Sequence, residues 1–208
     1  RPLLKISYTF DYILWKYNPF GYHLGNIILH ILNSILVYLI FRRFLRVEFT
    51  ALISTLLFSV HPIHTTAVGL ICHRSDLLTG FFCLLAFLLY IAAEKYIIYS
   101  YIAFILALFS KETAIFFPLV LILHDYLFTP LEKAACILKM RFKPLLVFFF
   151  ISFFYISFRI FFFHGSMERL QFLWGRPPYR MFITIPAAIV DYIRALFLPI
   201  NLTISDAF

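Results

Sequence analysis

The chain has 208 residues, of which 63% are hydrophobic and 13% charged, with a formal net charge of +8 and a mean hydropathy of +0.92. A soluble domain carries about a quarter charged residues, so this chain has too little polar surface to cover a water-facing globule and reads as an integral membrane protein. The positive charge then belongs to basic loops facing lipid headgroups and phosphates, with membrane lipid as partner and no nucleic acid.

A spanning helix needs about 20 predominantly apolar residues, and the sequence offers seven candidates in chain order. Residues 1–20 read as a loop. The first span runs from about Tyr22 to Phe41 and ends in Arg42, Arg43 and Arg46. The second, Thr50 to Leu70, is interrupted at His61-Pro62. The third, Leu77 to Ala93, closes at Glu94-Lys95. A short fourth, Tyr96 to Phe109, ends at Ser110-Lys111-Glu112. The fifth is Thr113 to Phe128, followed by a basic connector with Lys133, Lys139, Arg141 and Lys143. The sixth is Pro144 to Phe163. After a polar stretch, His164 to Arg180, the seventh covers Met181 to Pro199 with Asp191 and Arg194, either crossing the bilayer or lying along its surface.

These runs are apolar all round, which excludes the short alternating segments of a membrane barrel and leaves helices, whose backbone groups are satisfied internally. The expected fold is all-α: a polytopic transmembrane bundle forming one region over residues 1–208. The loops alternate between two sides with eight Lys and Arg on each. The denser short loops, Arg42 to Glu48, Glu94-Lys95 and 129–143, favour the cytoplasmic face. The sequon Asn201-Leu202-Thr203 needs the opposite face to be used. Cys72, Cys83 and Cys136 are scattered and read as neither a disulfide framework nor a zinc site. The start at Arg1, with no Met and no signal-peptide pattern, reads as an excerpt of a longer protein or a processed form.

Polar residues inside apolar runs carry the candidate chemistry. His23, Asn26, His30 and Asn33 share one face of the first span, as a cavity wall or as interhelical hydrogen-bonding groups. The densest cluster is His61-Pro62-Ile63-His64 followed by Arg74-Ser75-Asp76, where Pro62 breaks the helix. HxxH alone lacks the third ligand that zinc requires, so no metal is expected. An Arg suits a phosphate, which it holds by two parallel bonds. Lys111 and Glu112 lie on the same side, as a surface pair or as a second charge near that pocket. Arg159 and Asp125 read as boundary residues whose polar ends reach the interface. GxSxG, Walker and GxGxxG motifs are absent, against a hydrolase or ATPase.

Arg1-Pro2-Leu3, Asn18-Pro19-Phe20-Gly21-Tyr22-His23, His61-Pro62-Ile63-His64-Thr65-Thr66-Ala67-Val68, Arg74-Ser75-Asp76-Leu77-Leu78, Ser110-Lys111-Glu112-Thr113-Ala114 and Leu198-Pro199-Ile200-Asn201-Leu202 follow one another in order. This ordered set resembles the membrane region of the transmembrane and tetratricopeptide-repeat O-mannosyltransferases (TMTC-like) and their bacterial relatives, within the GT-C glycosyltransferase class.

The resemblance implies an enzyme that moves a sugar, mannose, from a polyprenyl-phosphate donor (dolichyl-phosphate mannose in eukaryotes) to Ser or Thr of an acceptor protein on the non-cytoplasmic face. No cofactor is implied. The membrane would be the endoplasmic reticulum in a eukaryote or the inner membrane in a bacterium. Arg74 and Lys111 are the expected donor-phosphate contacts, with His61, His64, Glu112, His23 and Arg1 as further binding residues and Asp76 in a catalytic position. The resemblance puts the principal catalytic Asp upstream of Arg1, so the residues given are expected to be inactive alone. It also puts Glu at the position of Thr66, and tetratricopeptide repeats after the membrane region. A flippase or transporter for a lipid-linked substrate, or a non-catalytic scaffold, are the alternatives.

Overall fold

The computed structural model describes residues 1–45, 47–128 and 134–162, apart from the side chains of 134–141, together with Pro186, Val190, Ile193, Arg194 and Leu196. Arg46, Lys133, the 164–180 stretch, Asp191, the sequon and most of the seventh span lie outside the described residues, as do the side chains of Lys139 and Arg141. The chain divides into two compact units, Arg1–Phe153 and Phe154–Phe208, where the sequence reads as one region.

Every regular element among the described residues is helical. They run α1 (Pro2–Trp15), α2 (Pro19–Phe44), α3 (Glu48–Val60), α4 (Thr65–Gly69), α5 (Arg74–Ala92), α6 (Ile97–Ser110), α7 (Phe117–Phe128) and α8 (Ala134–Phe162), with 3-10 turns between several of them. Among the described residues, three helices are long and apolar enough to cross a membrane: Pro19–Phe44, Ile71–Ala92 and Phe142–Phe162. A fourth is added if the bent pair Glu48–Val60 and Pro62–Gly69 is one span. These correspond to the first, third, sixth and second expected spans. The fourth and fifth are shorter helices, α6 with 14 residues and α7 with 12. At 1.5 Å per residue they reach only about 20 Å, against about 30 Å of hydrocarbon.

Residues 1–20, expected as a loop, contain α1. Pro2 at its start is preset for a helical turn, and the helix ends at Lys16 with φ 50, whose N–H donates to the Tyr12 carbonyl. The usual signal is concealed because Asp11 and Ser7 face the protein while the outer side is apolar. Asp11 is buried, while Ile6, Phe10, Ile13 and Leu14 on the outer side are about two-thirds exposed. An outward apolar face suits lipid rather than water.

α2 begins at Asn18, whose side chain accepts from the Phe20 N–H at 3.1 Å. It ends with Arg42 and Arg43 in the last turn, where cations suit the helix dipole. The break after α3 bends the chain by 45°. Pro62 has no N–H to offer the preceding turn, and two histidines take over the freed groups. His30 Nε2 donates to the Ser59 carbonyl at 2.9 Å, and His61 Nδ1 accepts from the Ile63 N–H at 3.2 Å.

α5 and α6 pack closely because their facing residues are small. Ala86, Ala103 and Ala107 are essentially fully buried, and Ser100 Oγ donates to the Ala86 carbonyl at 2.6 Å. Phe148 of α8 is fully buried among Tyr101, Phe104 and Phe117, with ring centroids 4.8, 5.4 and 5.8 Å away. The polar stripe of α2 serves interhelical bonding: Asn26 donates to the Val68 and Leu70 carbonyls at 3.2 Å, and Asn33 to the Leu77 carbonyl at 3.1 Å. In the second unit, Arg159 donates to the Tyr155 hydroxyl at 3.3 Å.

Asn33→Ala is expected to cost about 0.6 kcal/mol, the ordinary worth of one interhelical hydrogen bond in a membrane. Unfolding in mixed micelles measures this, and Asn26→Ala, which removes several bonds, is expected to cost more.

Candidate functional site

The N-terminus of α5 presents Arg74, Ser75 and Asp76 in a single turn, and the three side chains meet different surroundings. Arg74 is only 1% exposed. Its Nε donates to Asn26 Oδ1 at 2.8 Å, its Nη2 to the Tyr22 carbonyl at 2.6 Å, and its Nη1 to Ser7 Oγ at 2.9 Å and to the Asp11 carboxylate. Four hydrogen bonds therefore leave a group that has five N–H donors. The Tyr8 and Tyr22 rings flank the guanidinium at 5.1 and 6.0 Å. Tyr8 also donates its hydroxyl to the Ile71 carbonyl at 2.6 Å. Burial pushes the Tyr8 hydroxyl above its ordinary pKa, against the opposing pull of Arg74, which keeps the donor proton in place.

Arg74 was expected to contact a donor phosphate. In the structure its guanidinium instead joins α1, α2 and α5, because burial requires a charge to be paired and hydrogen-bonded where it lies. Gly25 makes room for this arrangement. A Cβ there would stand 2.8 Å from Arg74 Nη2 and 3.6 Å from Asp11 Oδ2. Beside the pair, Leu3, Ile6 and Phe10 of α1, Ile28 and Leu29 of α2 and Phe82 of α5 line an open apolar groove of about 420 Å³.

Above this buried hub lies a half-exposed ionic cluster. Arg1 reaches both carboxylate oxygens of Glu112, at 3.3 and 3.4 Å, and Ser75 Oγ at 3.3 Å. Lys111, which caps the C-terminus of α6, bonds Asp76 Oδ1, while His73 Nδ1 stands 3.5 Å from Asp76 Oδ2. The fold thus brings Arg1, Asp76, Lys111 and Glu112 together, residues up to 111 positions apart. It adds His73, which the sequence reading passed over although it lies three residues before Asp76 on the same turn.

The other expected residues sit differently. His64 packs at a tilt against His30 and Phe58, with ring centroids 5.1 and 4.5 Å away, and lies 6.4 Å from His61, so these imidazoles line the helix break. His23 is half-buried on α2, three residues before Asn26. Among the described residues no group of three or more His, Cys, Asp or Glu is placed to hold a metal. Asp125, read as a boundary residue, is buried and accepts from the Tyr90 hydroxyl at 2.5 Å, with His124 Nδ1 2.9 Å away.

The family model of the dolichyl-phosphate-mannose-protein mannosyltransferases matches residues 9–158. The chain belongs to this family. The match contains Asp11, Arg74, Asp76, Lys111 and Glu112. Protein O-mannosyl-transferase TMTC3 of Homo sapiens is 40% identical over 90 residues, 43% of this chain and 10% of that protein. Protein O-mannosyl-transferase Tmtc1 of Drosophila melanogaster is 37% identical over 120 residues, 55% of this chain and 14% of that protein. Protein O-mannosyl-transferase F38B6.6 of Caenorhabditis elegans is 30% identical over 133 residues, 61% and 19%. The chain therefore aligns with less than a fifth of these relatives' length. No solved structure matches it.

For this mannosyltransferase-family chain, sequence reasoning missed Asp11 because a lone acid in an apparent loop gives no signal until Arg74 folds onto it. Arg74→Met leaves Asp11 buried and unpaired and is expected to cost about 3–5 kcal/mol. The double variant Asp11→Leu with Arg74→Met recovers part of that loss. Unfolding in detergent measures both, and equal losses in the single and double variants would contradict the pairing.

Proposed function

We propose that this chain forms the membrane part of a glycosyltransferase that moves mannose from a polyprenyl-phosphate donor to Ser or Thr hydroxyls of an acceptor protein on the non-cytoplasmic face. The carrying observation is the partly exposed cluster of Lys111, Arg1, Asp76, Glu112 and His73, held where the N-terminus of α5 meets the C-terminus of α6. The family match and the names of the relatives support the same reading.

In the proposed reaction the bond from the sugar C1 to the phosphate oxygen breaks as a bond from C1 to the acceptor oxygen forms. The hydroxyl proton passes to a carboxylate, and the lipid phosphate leaves. Charge develops on the leaving phosphate, which requires fixed cations, and Lys111 and Arg1 supply them. The hydroxyl requires a positioned base; Asp76 is the candidate here, beside an acid expected upstream of Arg1. The open apolar groove between α1, α2 and α5 suits a prenyl chain lying against the bundle. The host membrane is the endoplasmic reticulum in a eukaryote and the inner membrane in a bacterium. A transporter reading calls for paired broken helices, whereas the described residues contain a single bent pair.

The test uses the full-length protein in lipid nanodiscs with polyprenyl-phosphate mannose and an acceptor peptide. Lys111→Ala is expected to lower transfer by about a hundredfold, the scale for losing one charge-stabilising group at a transition state. Wild-type rates in Lys111→Ala, or no transfer by the wild-type protein, would overturn the assignment.

A further inference from the structure

Burial divides the cations of this region into two kinds. Arg74 is fully enclosed and paired with Asp11. Lys111 and Arg1 remain accessible, with side chains 25% and 41% exposed, and each also faces a carboxylate of the chain itself. Water reaches both partners of the Lys111–Asp76 pair, a quarter and about a third exposed, so it holds less firmly than a buried pair, and α5 and α6 are already joined by close packing of alanines and by the Ser100 bond. The Lys111–Asp76 pair is therefore readily opened.

We propose that Asp76 is an exchangeable counter-ion that occupies the anion position on Lys111 in the empty site, yields it to the lipid phosphate, and reclaims it to release the product. The proposal rests on the donor assignment above and adds a role which that assignment lacks. The donor is a phosphodiester with one negative charge. Transfer breaks the C1–O bond and leaves a phosphate monoester with up to two. The product is thus the better ligand for Lys111 and Arg1, and a site made of cations alone would be inhibited by it. An internal carboxylate competes with that product at no cost in diffusion. Asp76 is held ready for this by its position in the first turn of α5, where the helix dipole favours an anion. His73, 3.5 Å from Oδ2, retains the carboxylate when Oδ1 leaves Lys111. Glu112 stands in the same relation to Arg1.

The experiment measures binding of polyprenyl phosphate, without sugar, to the full-length protein in nanodiscs. Asp76→Asn and Asp76→Ser are each expected to bind polyprenyl phosphate about fivefold more tightly than wild type, the change that follows when a competing half-exposed pair is removed. In a Lys111→Ala background the same substitutions leave affinity unchanged. Equal or weaker binding by both Asp76 variants, with wild-type binding intact, overturns the counter-ion role alone. Absence of polyprenyl phosphate binding by the wild-type protein overturns the donor assignment and the counter-ion role together.

Discussion

The structure around the candidate site depends on one buried cation. Arg74 carries a full charge into a place that is 1% exposed, and such a charge is tolerated only when paired and bonded on every side. Its partners come from α1 and α2, and Asn26 extends the network to the Val68 and Leu70 carbonyls before α5. Once Arg74 is seated, the register of α1 against α5 follows. Tyr8 then meets the Ile71 carbonyl, and Arg1 at the start of α1 meets Ser75 and Glu112. Gly25 supplies the space, since any Cβ would press on the guanidinium.

One turn of helix thus separates two tasks. Arg74 points into the protein and holds three segments together; Asp76 points out and faces Lys111 and His73. The difference lies in exposure rather than in residue chemistry. A buried pair resists opening because either charge left alone would be desolvated without compensation. A half-exposed pair opens cheaply because water replaces the lost partner. The proposed exchange of phosphate for carboxylate needs the second kind of pair, and the stable platform beneath it needs the first.

The imidazoles illustrate how a sequence motif acquires its meaning from neighbours. His61 and His64 straddle Pro62 in a pattern that suggests a ligand site. In the fold, His61 caps the turn after the break, and His30 satisfies the Ser59 carbonyl that the bend frees. The α2 stripe of Asn26, His30 and Asn33 likewise bonds carbonyls on neighbouring segments. These groups hold together a bundle in which apolar packing against lipid offers no strong drive for helix association.

The sequence by itself determined the class. Its hydropathy requires lipid as solvent, its apolar runs require helices, and Pro62 requires a break, all properties carried by short stretches of chain. The order of the motifs also indicated the family, and it singled out Asp76, Lys111, Glu112 and Arg1. Only the tertiary structure decided which charges are buried. Asp11 looked like one polar residue in an N-terminal loop, α1 was hidden because Asp11 and Ser7 turn inward while its outer side is apolar, and Arg74 looked as available as Lys111. Burial depends on what other segments bring from a distance. The division between a permanent cation and exchangeable ones is therefore set where α1, α2, α5 and α6 converge, not in any one stretch of sequence.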